Sequence, residues 1–349
     1  MRLERRARAP LALALGAPFG AIIVALALSG LLIALAGAPV LEAYRRLFVG
    51  AFGSRLSITE TLTRATPLIL TGLAAATAFR ARLWNIGAEG QFFVGALAAA
   101  ALGSKYAPHP PGAWLILELM LAGAAAGALL LLLPLALRLR LGVDEVVTTL
   151  LLNFVAALFV SMMIEGPLRD PLAFGWPQSV PIVGDGLLPK LIARSRLHVG
   201  LLVAIGLAIG VWAWQARTVF GLESRAAGLN PGAARFAGIA LPRVLTIVAC
   251  LSGGLAGLAG AIEVMGVKGY VTTDLSPGFG YTGIVVAMLA NLHPIGVIAA
   301  ALFVATMFVG ADGMSRALHV PSYIADVIVS LSLLTMLTAL LLANYRIRR

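Results

Sequence analysis

Apolar runs long enough to cross a lipid bilayer recur from one end of this chain to the other. At about 1.5 Å of rise per residue, roughly 20 apolar residues span a hydrocarbon layer as one helix. Such runs lie near 16–36, 61–79, 86–104, 113–137, 146–165, 197–215, 244–265, 281–292, 295–311 and 322–343. Of the 349 residues, 60% are hydrophobic and only 12% are charged, too few to cover a soluble domain of this size. The expectation is an all-α polytopic membrane protein of about ten transmembrane helices, read as one domain over 1–349. The eighth run is short, which points to a re-entrant or broken helix. Arg2, Arg5, Arg6 and Arg8 ahead of the first run resemble the start of a secretory signal peptide. The apolar stretch after them is longer than such a signal uses, which favours an uncleaved first helix.

A net charge of +11 raises the possibility of nucleic acid as a partner, but its distribution argues against one. The basic residues sit in short clusters between apolar runs, the pattern of cytoplasmic loops. With the N-terminus inside, Arg2, Arg5, Arg6, Arg8, Arg80, Arg82, Arg138, Arg140, Arg217, Arg225, Arg235, Arg243, Arg346, Arg348 and Arg349 fall on the cytoplasmic side. The reading is a multi-pass protein of the bacterial inner membrane with both termini cytoplasmic. Residues 166–196, rich in Pro and Gly, then form an extracytoplasmic loop, and 216–243 a cytoplasmic one.

Several chemistries find no footing. Cys250 stands alone, so neither an intrachain disulfide nor a cysteine metal site is available. His109, His198, His293 and His319 show no ligand spacing. Neither a phosphate-binding G-x-x-x-x-G-K-[ST] loop nor H-E-x-x-H, G-x-S-x-G or C-x-x-C occurs. The chain reads as a passage with no catalytic residues, metal or cofactor of its own. The pairs Gly123/Gly127 and Gly253/Gly257 suit close helix packing, which in lipid is driven by backbone approach. The run 266–281 is too polar and glycine-rich for a helix in lipid and should pack on protein or line a watery cavity.

Four groups of polar residues stand out in this apolar background. Asn85, Glu89 and Gln91, with Phe92 beside them, open one of the runs. Asn85 and Glu89 are four apart, so a helix through both puts them on one face, able to line a polar pathway. The other reading is a helix start, with Asn85 as N-cap and Glu89 in the first turn. Asn153 lies about two turns into a run opened by Asp144 and Glu145, where it suits either a solute or helix–helix glue. Glu263 ends the seventh run and Thr272 follows in the irregular stretch; an ionisable group in apolar surroundings is a functional candidate, or it meets water at the helix end. Finally, 221–239 suits a short amphipathic helix against a partner, with Asn230-Pro231 marking a helix start.

The run PLILTGLA…FRARLWNIGAEGQ resembles the signature of nucleoside and simple-sugar ABC importer permeases of the branched-chain amino-acid/ribose permease superfamily, which mostly carry Phe where this chain has Trp84. The resemblance covers about residue 60 to the C-terminal region. Within it, 144–156 is similar to the family's E-V-x-T-T-L-x-L-N run, and 221–239 to its coupling helix, matched at Arg225, Gly228, Asn230, Ala233, Ala234 and Gly238. The resemblance implies a type II-like importer permease bundle that pairs with a second permease, identical or different. It also implies a cytoplasmic ATPase that binds the ATP and docks on the coupling helices, and an extracytoplasmic solute-binding protein. Asn85, Glu89, Gln91, Phe92, Asn153, Glu263 and Thr272 become the pathway candidates. Nucleosides are the expected solute, ahead of simple sugars such as ribose and of branched-chain amino acids. The rivals are an ion-coupled secondary transporter titrating Glu89 or Glu263, and a membrane enzyme acting on lipid, for which no catalytic cluster is visible.

Overall fold

The structure, a computed structural model, describes residues 2–5, 11–35, 37–105, 107–108, 110, 112–318, 321 and 323–348. Arg6, Arg8, His109, His319 and Arg349 lie outside the described residues. In chain order come β1 (Arg2–Arg5), α1 (Leu11–Leu35), α2 (Val40–Phe52), α3 (Arg55–Arg80), α4 (Ala88–Leu102), α5 (Ala113–Leu141) and α6 (Glu145–Glu165). Then follow α7 (Gly200–Arg217), α8 (Val219–Leu229), α9 (Pro231–Phe236), α10 (Leu241–Glu263), α11 (Phe279–Leu289), α12 (Pro294–Leu318), α13 (Ile324–Asn344) and β2 (Tyr345–Arg348). The described residues are mainly helical, with an antiparallel pairing of β1 with β2 near the chain's two ends and a few isolated bridges in the loops.

Among the described residues six helices, α3, α5, α6, α7, α10 and α12, are long and apolar enough to cross a membrane; α1 with α2, bent by 116°, would make a seventh. The short eighth run is the 11-residue α11, as its length implied. α4, read from the sequence as a full span, has only 15 residues, or about 22 Å of rise. Both fall short of the roughly 30 Å hydrocarbon layer. The sequence reading passed over α2, because a 13-residue helix with Glu42, Arg45 and Arg46 on it does not register as a span.

The chain divides into two compact units, 62–301 and 2–61 with 302–348. In the larger, α10 is buried against α4 and α5. The sequence-marked glycines make that packing possible: a Cβ at Gly127 would fall on the Gly253 carbonyl oxygen, and one at Gly257 on that of Gly123. Gly95 of α4 approaches the Gly257 carbonyl in the same way, so three backbones meet with no side chains between them. The outer faces of α5 and α6 carry exposed Leu129, Leu133, Phe154 and Leu158, the surface expected where lipid is the solvent.

Local signals set the helix ends. α5 stops at Gly142 (φ +68), whose N–H returns to the Arg138 carbonyl at 3.1 Å, with Arg138 and Arg140 at the helix's negative pole. Asp144 caps α6 by accepting from the Val146 N–H at 2.8 Å. α10 passes into a π-helical turn at Val264–Lys268, ended by Gly269 (φ +78). The irregular segment that follows packs on protein, as its composition demanded: the Ser179 N–H donates to the Val271 carbonyl at 2.9 Å and the Ile182 N–H to that of Gly269 at 2.8 Å. Loop 166–199 therefore covers one end of this unit. The segments expected together on the other side do converge: the Arg138 guanidinium donates to the Arg82 carbonyl at 3.2 Å, and Gly228 lies on the Arg80 carbonyl.

In the smaller unit α1 lies along α13, where the Thr335 hydroxyl donates to the Ala21 carbonyl at 2.8 Å. Ile33, Ala43 and Met314 form a small core, and Gly50 of α2 meets the backbone of Gly310 and Gly313 on α12.

Candidate functional site

α4 and α11 both begin inside the larger unit, and they begin against each other. A Cβ at Gly280, in the first turn of α11, would fall on the Glu89 backbone in the first turn of α4. The Glu89 carboxylate turns back across this junction and accepts from the Gly280 N–H at 2.6 Å, with the Ser276 side chain and the Tyr281 N–H alongside. The first N–H groups of a helix have no intrahelical acceptor and carry its positive pole, so a carboxylate between two such ends is well placed. Glu89 is almost fully buried there. The hydroxyl of Thr71 donates to the Phe279 carbonyl at 2.9 Å, and the rings of Phe92 and Phe279 sit 5.8 Å apart beneath the junction.

The loop leading into α4 is held by side chains throughout. Asn85 and Gln91 exchange hydrogen bonds of 2.9 Å through their amides. Asn85 also donates to the Ser252 hydroxyl at 3.0 Å and accepts from the Gly87 N–H at 3.0 Å. From α6, Asn153 accepts from the Gly90 N–H at 2.8 Å and donates to the Ile86 carbonyl at 2.9 Å and to the Tyr281 hydroxyl at 3.1 Å. The sequence expectation that Asn85 and Glu89 share a helical face is corrected, because α4 begins at Ala88 and Asn85 precedes it. Nor is Asn85 the N-cap: that position is Gly87, and the Asn85 amide forms a local turn with it.

Glu263 lies at the far end of α10, buried, where Lys190 of loop 166–199 bonds the Gly266 carbonyl. The Lys190 ammonium is pushed below its usual range by burial and by the Arg196 charge, with Glu263 opposing the shift. Beside it, His198 accepts from the Gly200 N–H at 3.1 Å through Nδ1, while its buried Nε2 has no hydrogen-bond partner among the described residues. Burial, aided by the Lys190 charge, lowers its pKa from 6.5 to about 4. Thr272 accepts from the Lys268 ammonium at 3.0 Å, and Lys268 pairs with Asp274 at 3.3 Å. Glu263 and Thr272 thus belong to the end covered by the loop, and Asn85, Glu89, Gln91, Phe92 and Asn153 to the helix junction.

Sequence reasoning missed Tyr281. Tyr281 opens α11 with its ring partly exposed and its hydroxyl on Asn153, so it is the part of the junction that reaches the surface. Its one sequence signal is a polar aromatic at the start of a short apolar run.

The six residues of the 221–239 segment separate by face. Asn230 caps α9 by accepting from the Ala233 N–H at 3.1 Å, with Pro231 in its first turn, and Gly238 (φ +84) takes the chain out of it. Gly228 and Ala234 are buried, whereas Arg225, Asn230, Ala233 and Gly238 are exposed. Around them Leu222, Leu229 and Phe236 stand out as an apolar surface, Phe236 at 97% exposure.

Residues 57–340 match the family described as the permease component of the branched-chain amino acid transport system. The chain is 33% identical to a glucose ABC transporter permease protein of Haloferax volcanii, covering 99% of this chain and 93% of that one. It is 34% identical to a guanosine ABC transporter permease protein of Bacillus subtilis, over 91% of each. A nucleoside ABC transporter permease protein of Lactococcus lactis is 31% identical, over 86% of this chain and 84% of its own. No solved structure matches. The helical architecture and the near end-to-end agreement with these relatives lead to one conclusion: the chain belongs to the family of branched-chain amino acid transport system permease components.

Proposed function

We propose that this chain forms the translocation pathway for nucleosides in an ATP-driven importer. The observation that carries the reading is the extent of its likeness to the guanosine and nucleoside permeases, 34% and 31% identity over more than four fifths of each chain. The junction of α4, α6 and α11 is the candidate solute site. Asn85, Gln91 and Asn153 bond within the protein there, holding the broken helices, while Tyr281 offers a ring and a hydroxyl to a solute. A nucleoside, part aromatic and part polyol, suits that combination.

Energy comes from a separate ATPase subunit that binds the ATP; this chain is not itself an enzyme. The apolar surface of Leu222, Leu229 and Phe236 on α8 and α9 is the docking face for that subunit. Gly228 and Ala234 act from behind, letting the pair of helices lie close on the end of α3. A second permease, identical or different, completes the pathway, and a solute-binding protein delivers cargo at the end covered by loop 166–199. Arg80, Arg82, Arg138, Arg140, Arg225 and Arg235 crowd the α8–α9 end, and by the positive-inside rule this supports a cytoplasmic position for it, together with both termini, in a bacterial inner membrane.

A second reading, simple sugars, is favoured by the 33% identity to the glucose permease over almost the whole chain. Uptake of labelled adenosine, ribose and glucose into vesicles holding this chain and its co-encoded partners decides between them. Accumulation of adenosine over both sugars, only with ATP inside, is the expected result. Preference for a sugar moves the solute class. Uptake that ignores ATP and follows an imposed proton gradient overturns the importer mechanism.

A further inference from the structure

At the end of the larger unit where α3, α5 and α10 begin or stop, a cavity of about 360 Å³ opens between α5, α9 and α10. Arg82, Arg138 and Arg235 line it, each from a different segment. Against these three guanidiniums stands one carboxylate, Glu145, paired with Arg138 at 2.6 Å. Among the described residues no acidic side chain pairs with Arg82 or Arg235. The opening turn of α10, with Pro242, forms another wall. That helix has no side-chain cap, so its free N–H groups and positive pole add to the same field. Arg82 itself has φ +54, a backbone state in which glycine rests without strain and arginine does not. The chain thus holds a cation at that position against a local backbone preference.

The rest of the lining is apolar, from Leu139, Leu241 and Leu245. A free inorganic anion gains nothing from such a wall, whereas a phosphate with hydrocarbon attached uses both halves of the site. The cavity also lies level with the last turn of α5 and the first of α10, where a membrane-spanning bundle meets the headgroups. We propose that this cavity binds the phosphate of an anionic phospholipid, with Arg82, Arg138 and Arg235 on the headgroup and the leucines against its glycerol and acyl root. One wall of the site is α9, so bound lipid would brace the short helix from beneath. The lipid site itself does not depend on the solute or on the docking assignment.

The test is lipid retention by the purified full chain, read by native mass spectrometry with phosphatidylglycerol, phosphatidylcholine or inorganic phosphate supplied. The wild-type chain should keep phosphatidylglycerol in preference to phosphatidylcholine, and millimolar inorganic phosphate should not displace it. The exposed and unpartnered Arg82 and Arg235 can be changed together to Gln with little effect on folding, checked by an unaltered melting temperature. R82Q/R235Q should retain about five-fold or more less phosphatidylglycerol, R82K/R235K should recover most of it, and R194Q in loop 166–199 should behave as wild type. Equal retention by R82Q/R235Q and wild type would overturn the site. Displacement by inorganic phosphate would give the cavity to a free phosphate and overturn the lipid assignment. Unchanged lipid retention with loss of ATPase co-purification would give the arginines to the partner protein and overturn it as well.

Discussion

At Gly257 the nearest atoms are the Gly123 carbonyl oxygen and the Gly127 backbone, all on the neighbouring helix α5, so even a methyl group has nowhere to go. Backbone cannot rotate aside as a long side chain can, and overpacking of a close-packed interior costs about 1–3 kcal/mol. Gly257→Val should therefore lower the melting temperature and the monodisperse fraction in detergent. Gly206→Ala on α7, where nothing lies within 4 Å, should leave both unchanged or slightly improved. These glycines were legible from sequence because spacing by four is a property of one helix alone. The Asn85–Gln91 pair was not, because it depends on where α4 starts, and that start is fixed by Asn153 and Thr149 of α6, more than sixty residues away. His198 gives a second prediction at this scale. Its imidazole is held neutral, with a folded pKa of about 4 against the ordinary 6.5. Below pH 6.5 the unfolded chain takes a proton that the folded one refuses, so stability is full above that pH and falls toward pH 4, by about 3 kcal/mol in all. Melting temperatures measured between pH 7.5 and 4.5 should show this slope, and His198→Gln should flatten it.

At the scale of elements, the helices that sequence described best are those whose length and apolarity speak for themselves, such as α5, α6 and α10. α4 was harder, since the loop before it mixes apolar and polar residues and only tertiary contact with α6 and α11 marks where its 15 residues begin. The 221–239 segment was legible as a short amphipathic unit, but not which of its residues face outward. Its exposed face yields a direct prediction. Leu229→Ser with Phe236→Ser should reduce co-purification of the ATPase about ten-fold or more, as expected when buried apolar anchors of an interface are lost, and leave the melting temperature as it was. Gly228→Asp should lose the ATPase too, but together with stability, because its Cβ would land on the Arg80 carbonyl. The two variants separate a surface that binds from a contact that positions it.

For the whole molecule, the alternation of apolar runs and polar linkers carried the class, a multi-pass helical membrane protein, because lipid imposes it with little regard to detail. The division at 61/62 and 301/302 had no such signature: it falls within the continuous helices α3 and α12, where composition does not change. The pairing of β1 with β2 puts the two chain ends on one side. A fluorescent protein fused to either terminus should accordingly fluoresce in intact cells, and alkaline phosphatase fused at the same points should stay inactive; opposite results at the two ends would break the pairing. Within the larger unit, Gly228 rests on the carbonyl of Arg80, the last residue of α3, with no side chain interposed, and nine residues back along that helix Thr71 holds the Phe279 carbonyl at the mouth of α11. Those nine residues make a strut of roughly 14 Å, stiff along its axis. A thrust on α8 is therefore delivered, without play in the bearing, to the spot where the two half-helices share a carboxylate.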